Sequence, residues 1–412
     1  MNKNNLIQKD YGKRIIAQGV MASNDTFETG INNNDLIIGP SGSGKTGGYQ
    51  VPNLQNPTDS MIISDTKGAM SKMFKKSLLE KGYQVHILDF VKAENSTCGY
   101  NPLMFIRRTA NGGYSLKDVK TIVNAMMPTT NSKDPYWDMS ARRYVTMLIC
   151  GVMEHVRPAE KDMVTVLKLH KHFCEKKFEG LFKDWYARDS RSEFAGYYEQ
   201  LKPLENTDRT LGCILDVASN ALDNFGGDEM KRIFQNGKAY DLAELGKRKT
   251  VLFLNTSDID RSTDAIVNIL YTQCFQRLFE EAGKQDDLRL KVPVRIVMDD
   301  FASGTVMEDF DKIISVIRSR DISVSIIIQS LSQLESLYGQ DKARTILNNC
   351  SHKLYLGGCD LDTIDYVSRL SNEPQHKVAS LARDKAYLMV EGKAPRIVDR
   401  MKPYSNMDDV DR

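Results

Sequence analysis

Eight short apolar runs punctuate the chain, at residues 36–38, 61–64, 85–88, 251–255, 294–298, 324–328, 354–356 and 387–390. Each is bounded by turn-forming residues and is apolar at successive positions, the pattern of strands buried on both faces. Helical patterns separate most of them. This predicts an α/β fold: a mainly parallel sheet with helices on both faces, whose ligands bind at the carboxyl ends of the strands.

The alternation stops between about residues 103 and 237. No convincing strand occurs there, and helical periodicity takes over, with Phe173, Phe178, Leu181, Phe182 and Trp185 forming one apolar stripe. The pattern predicts an all-α insert at 105–238, between a first part at 1–104 and a second part at 239–412. No repeat of fixed period and no low-complexity linker divides the chain.

Composition narrows the classes. The 412 residues carry 56 lysines and arginines against 54 acids, a formal charge of +2, so contact with nucleic acid has to be local. The seven scattered cysteines contain no C-x-x-C spacing, which fits a reducing cytoplasm. His170 and His172 stand two apart on a helical pattern, face different ways, and read as solvated residues rather than a metal pair. The most apolar stretch, 145–156, is interrupted by Gly151 and Glu154 and is too short to cross a bilayer. The polar start, 1–13, has no signal-peptide core, so the chain is soluble or any anchor lies outside it.

The strongest chemical signal is Gly39-Pro40-Ser41-Gly42-Ser43-Gly44-Lys45-Thr46, which matches G-x-x-x-x-G-K-[ST] at every fixed position. It sits between the first apolar run and a helical segment, the context the motif needs. Gly39, Ser41, Gly42, Ser43 and Gly44 would curl backbone amides around phosphate oxygens. Lys45 would reach the outer phosphates, and Thr46 would hold Mg²⁺.

Such a loop needs a carboxylate from another strand. Residues 294–300, Val-Arg-Ile-Val-Met-Asp-Asp, offer Asp299 for the metal and Asp300 for the attacking water. Asp300 occupies a position where many related motors carry glutamate, one methylene longer. The next run ends at Gln329, placed to sense the γ-phosphate. Arg318 and Arg320 precede that run as candidates for a finger supplied to a neighbouring copy, Arg318 ahead of Arg320.

Together these motifs resemble the VirD4/TraG type IV secretion coupling proteins, the ATPases of conjugation. The resemblance covers nearly the whole chain. It rests on the phosphate loop followed by Val51-Pro52-Asn53-Leu54, on Ser64-Asp65-Thr66-Lys67-Gly68, on Tyr100-Asn101-Pro102-Leu103, on Asp299-Asp300-Phe301-Ala302, and on residues 328–334. Asp-Asp-Phe-Ala is similar to versions in Gram-positive conjugative elements.

The resemblance implies a RecA-like P-loop NTPase domain interrupted by an all-α domain that docks cargo. It implies ATP and Mg²⁺ as cofactors, with Lys45 and Thr46 on nucleotide and metal, Asp299 as the Walker B acid, and Asp300 as the catalytic carboxylate. Gln329 takes the sensor position and Arg318 the finger. The implied partners are a relaxase-DNA complex or secreted protein cargo, single-stranded DNA, secretion-channel components, and five further copies in a ring, with a monomer in isolation. The implied location is the cytoplasmic face of the membrane. Two features depart from the family: Asp-Asp in place of Asp-Glu, and no amino-terminal membrane segments. The competing functions are a duplex-DNA translocase of the FtsK/HerA type and a nucleotide-gated cargo receptor with little hydrolysis. No N-K-x-D tetrapeptide suggests a GTPase.

Overall fold

A computed structural model describes residues 9, 11–66, 68–127, 135–234, 239–257, 259–301 and 306–404. Lys67 and Ala302 of the motifs above lie outside the described residues. Eleven strands are described: β1 (Lys13–Ala17), β2 (Val20–Ser23), β3 (Asp35–Ile38), β4 (Ser60–Asp65), β5 (Gln84–Asp89), β6 (Thr250–Asn255), β7 (Val294–Met298), β8 (Ile322–Ile328), β9 (His352–Tyr355), β10 (Lys385–Val390) and β11 (Arg396–Asp399).

Nine form one sheet in the order β11-β10-β9-β3-β8-β7-β4-β6-β5. From β9 to β5 every pairing is parallel, while β10 is antiparallel to both of its neighbours. All eight runs become strands. The sheet is mainly parallel as expected, and departs from it only beyond β9: β10 runs antiparallel to β9 although the helices Leu361–Ser371 and Gln375–Ala379 lie between them, and the tight connection at 391–395 makes β11 antiparallel to β10. Three strands escape the apolar pattern. β11 buries only Val398, and β1 and β2 form a separate antiparallel ribbon in which Arg14, a charged residue, is buried.

Side chains of the central strands alternate between two layers. Leu36, Ile62, Leu252, Ile296 and Ile326 join one core, whereas Ile37, Ile63, Val251, Val297 and Ile327 join the other. The second layer is covered by Tyr49, Val51 and Leu54 and by the helix Ala69–Glu80. The first is covered by the helix Asp264–Gly283 and runs on into the helical region.

That region contains the helices Leu116–Met126, Tyr136–His155, Met163–Lys176, Leu181–Arg188, Glu193–Leu201, Asp208–Asp223 and Gly227–Phe234. The expected aromatic stripe spans two helices. Lys177 at φ 49° and Gly180 at φ 60° turn the chain, leaving Phe178 in the connection, yet Phe173, Phe178, Phe182 and Trp185 all stay buried together. His170 is not solvated as expected: its ring nitrogens lie 2.8 Å from the Tyr144 hydroxyl and 2.9 Å from that of Ser219. Among the described residues no cluster suited to a metal ion is found, and no helix is long and apolar enough to cross a membrane.

The Tyr100–Leu103 motif sits where the sheet meets the helical region. The Tyr100 hydroxyl donates to Gln273 Oε1 at 2.7 Å, Gln273 Nε2 donates to the Pro102 carbonyl, and Asn101 caps Leu103 while donating to the Lys161 carbonyl. Gln273 and Asn101 therefore fix backbone across the junction, with Tyr100 holding Gln273 in place.

A buried ionic network lies at the amino end of β3. Arg14 clasps both oxygens of Asp35 at 2.8 Å, Arg295 approaches the same carboxylate at 3.3 Å, and the Tyr49 hydroxyl donates to it as well. The Arg14 fork also lies 3.0 Å from His352 Nδ1. Arginine can only donate, so His352 is a neutral acceptor despite its 3.6 Å approach to Asp35. Burial opposes the Asp35 charge, but Arg14 and Arg295 outweigh it and hold the carboxyl at about 2, while burial lowers His352 to about 4. Through Tyr49, this network anchors the helix that follows the phosphate loop.

Candidate nucleotide-binding site

The phosphate loop leaves the carboxyl end of β3, as the strand, loop, helix context requires. Gly42 and Gly44 take φ of 75° and 86°, values a side chain would strain, and so the loop closes on itself. The helix behind it opens with a π turn, Thr46–Gln50, before continuing as Val51–Gln55. Lys45 is buried, and its ammonium donates to the carbonyls of Gly39 at 2.7 Å and Pro40 at 3.0 Å. Holding the Pro40 oxygen turns the Ser41 N–H, across the same planar peptide, the opposite way. Ser41 and Gly42 are exposed at the rim, whereas Gly39 is buried and Ser43 half-buried.

β8 lies between β3 and β7, so the phosphate loop and the acidic pair come from strands that are not adjacent. They meet all the same. The Thr46 hydroxyl donates to Asp299 Oδ2 at 2.8 Å, joining the two halves of the motif. Asp300 adopts φ 52°, its N–H donates to Asp299 Oδ1 at 3.0 Å, and Gln329 Nε2 at the end of β8 reaches Asp300 Oδ1 at 3.4 Å. Thus Lys45, Thr46, Asp299, Asp300 and Gln329 gather at one edge of the sheet.

The electrostatics suit a cation and an anion together. Burial raises the Asp299 carboxyl, and the neighbouring Asp300 raises it further, against the opposing effects of Thr46 and Lys45. Burial lowers Lys45, which Asp300 and Asp299 partly offset. Two hard oxygen donors already in contact, one on a carboxylate short of positive charge, fit Mg²⁺. A bound Mg²⁺ would neutralise charge developing on the phosphates.

Arg318 does not join this cluster. It is exposed in the 3₁₀ turn Ile317–Arg320 at the amino end of β8, where its guanidinium donates to the carbonyls of Thr26 and Gly30 at 3.0 and 2.8 Å. The seven residues of β8 separate it from the phosphate loop by on the order of 20 Å, beyond the reach of its own side chain. Arg320 is bound to the Leu288 carbonyl.

Sequence reasoning gave no role to Asp65. Its carboxylate accepts from the Ala69 and Ser71 N–H groups at 3.1 Å each, capping the helix Ala69–Glu80, while Asn255 packs over Gly68. An Asp three residues before a glycine-led helix start is a signal that could have identified this cap.

A family model described as "Type IV secretory system Conjugative DNA transfer" matches residues 1–404. Protein VirD4 of Rhizobium radiobacter is 20% identical over 354 residues, covering 85% of this chain and 50% of that protein. Its counterpart in Agrobacterium fabrum is also 20% identical, with 85% and 51% covered. The chain spans about half the length of the curated relatives it matches. Among solved structures, the bacterial conjugative coupling protein TrwBdeltaN70 superposes with a TM-score of 0.67 at 16% identity, covering 97% of this chain and 92% of that one. TrwB in complex with ADP and Mg²⁺ gives 0.67 at 16% identity, covering 98% and 92%. VirB4 of Thermoanaerobacter pseudethanolicus gives 0.55 at 13% identity, covering 92% and 91%. The fold is that of a RecA-like P-loop NTPase with a helical domain.

Proposed function

Since the chain belongs to the type IV secretory system conjugative DNA transfer family, we propose that it is an ATP-driven coupling protein that recruits cargo to a secretion channel and helps to move single-stranded DNA. The observation that carries this reading is the Thr46 to Asp299 hydrogen bond, which joins the phosphate loop to the Walker B acid beside Lys45. TrwB, similar in fold, has been solved with the ATP analogue ADPNP and with ADP and Mg²⁺, which supports the same ligands here.

In this mechanism Lys45 releases the Gly39 and Pro40 carbonyls and turns to the β- and γ-phosphates. Thr46 and Asp299 would hold the metal. Asp300 accepts a proton from the attacking water, and Gln329, already at hydrogen-bond reach of Asp300, orients that water. Arg318, too far from its own site, serves the site of a neighbouring copy in a ring of six. The helical insert, 105–238, selects the relaxase-DNA or protein cargo, and the ring works at the cytoplasmic face of the membrane. Family membership favours this over a duplex-DNA translocase of the FtsK/HerA type.

A receptor with slight hydrolysis is the second reading, favoured by the short Asp300 side chain in its left-handed backbone. Mg²⁺-dependent ATP turnover, measured at ring-forming protein concentrations with and without single-stranded DNA, separates the two. A motor gives turnover that DNA stimulates severalfold; turnover at the buffer rate in both arms would leave the receptor.

A further inference from the structure

The chain returns to the phosphate loop after β11, at a point no motif marks. Arg400 sits in this returning segment and spreads its guanidinium over three backbone carbonyls from three separate elements. Nε donates to Lys385 on β10 at 2.6 Å, Nη1 to Ser43 in the phosphate loop at 3.2 Å, and Nη2 to Leu356 beyond β9. The Arg400 backbone N–H is fixed in turn by the Asp384 carbonyl at 2.8 Å. Leu356 donates its own N–H to the Ile38 carbonyl at 2.7 Å, so the fork is braced against the end of β3.

The residues after Arg400 lie across the helix that follows the loop. The Tyr404 N–H donates to the Gly47 carbonyl at 3.0 Å. A Cβ on Gly47 would meet Pro403 Cβ at 2.8 Å, and one on Gly48 would meet the Met401 carbonyl oxygen at 2.9 Å. Neither distance is tolerable, and the atoms met belong to a proline ring and a backbone carbonyl, which cannot swing away. The paired glycines after Thr46 therefore make room for this strap. A cavity of about 600 Å³ lies between the strap, the loop residues 40–44 and the Gly357-Gly358 turn.

The direction in which Arg400 pulls has a chemical consequence. The Ser43 carbonyl and the Gly44 N–H belong to one planar trans peptide, so a donor that fixes the oxygen on one side aims the N–H to the other. An amide aimed outward from a phosphate loop is a phosphate ligand. Lys45 does the same for the peptide between Pro40 and Ser41, but on binding phosphate it must let go, whereas Arg400 holds the Ser43 oxygen from a separate segment that is itself tied to β10.

We propose that Arg400 is a positioning residue for nucleotide binding: its guanidinium holds the Ser43 peptide so that the Gly44 amide faces the phosphates, and the strap 401–404 clamps the first turn of the following helix. The proposal rests on the reading of this loop as a nucleotide site. Lysine at 400 would keep the charge but lacks the rigid planar fork whose three nitrogens reach carbonyls of three separate elements.

The test compares the parent chain with Arg400→Ala and Arg400→Lys, by binding of a fluorescent ATP analogue and by amide hydrogen exchange without nucleotide. Both variants are expected to bind at least tenfold more weakly, and to exchange at least tenfold faster at residues 41–48 while β4, β7 and β8 remain protected as in the parent. Unchanged exchange at 41–48 would overturn the proposal. So would parental affinity in Arg400→Lys, which would make the residue a simple point charge. A parent chain that binds no nucleotide would sink the ATP reading instead, and the exchange comparison would still decide the role of Arg400.

Discussion

Lys45→Ala is expected to abolish nearly all ATP turnover, by on the order of a hundredfold or more, because it removes the buried ammonium that the phosphate loop folds around. The fold survives the change. Lys45 donates to two carbonyls of its own loop and meets Asp299 and Asp300 only through space, so the melting temperature without nucleotide should move by no more than about 2 °C. Steady-state phosphate release and a thermal melt of the same preparation check both halves. Turnover within threefold of the parent would show that Lys45 faces no phosphate.

Asp35→Ala has the opposite signature, a large loss of stability at a residue that touches no substrate. The substitution leaves the Arg14 and Arg295 guanidinium groups buried without their shared carboxylate and removes an acceptor from Tyr49. A buried charge stripped of its partner costs about 3–5 kcal/mol, read as a lower denaturant midpoint. Breaking the exposed Lys76–Glu80 pair should leave that midpoint unchanged.

The same network predicts acid sensitivity, and both groups give one sign. Asp35 is depressed in the fold to about 2, so its contribution is complete above its unfolded value of 3.8 and fades as pH falls from there toward 2. His352 stays neutral in the fold down to about 4, while the unfolded chain takes up the proton near 6.5, so stability also falls as pH drops from 6.5 to 4. Denaturation at a series of pH values should show the loss beginning below about 6.5. His86, His155 and His170 are lowered by burial as well, so His352→Gln should lessen the loss that begins below about 6.5 without abolishing it.

Much of the sheet was legible because its strands are buried on both faces. Ile37 and Leu36 enter different cores, so both must be apolar, and a continuous apolar run results. Edges lack that constraint. β11 needs only Val398 on its inner side, and its other residues carry no signal. The stripe from Phe173 to Trp185 misled for a related reason: Phe178 is buried from a turn, and burial alone has no period.

The chemistry of the site followed a similar rule. Lys45, Thr46, Asp299, Asp300 and Gln329 lie at strand ends or in the loop that follows one, where a fixed spacing betrays them, and the structure gathers them at one edge. Arg400 lies 357 positions from the carbonyl of Ser43 that it binds, and no local pattern encodes a pairing of that span. Asp65 was visible but uninterpreted, since a cap at a glycine-led helix start needs the backbone geometry to be recognised.

The proposal that each site is completed by a neighbour's Arg318 is tested most directly by mixing two inactive variants, Lys45→Ala and Arg318→Ala, at equal concentration and measuring ATP turnover. In a closed ring every interface pairs one subunit's phosphate loop with the next subunit's arginine, so roughly a quarter of the interfaces in a random mixture hold both intact. Turnover rising to about that fraction of the parent's is the expected result. A mixture that never exceeds either variant alone would contradict a shared site.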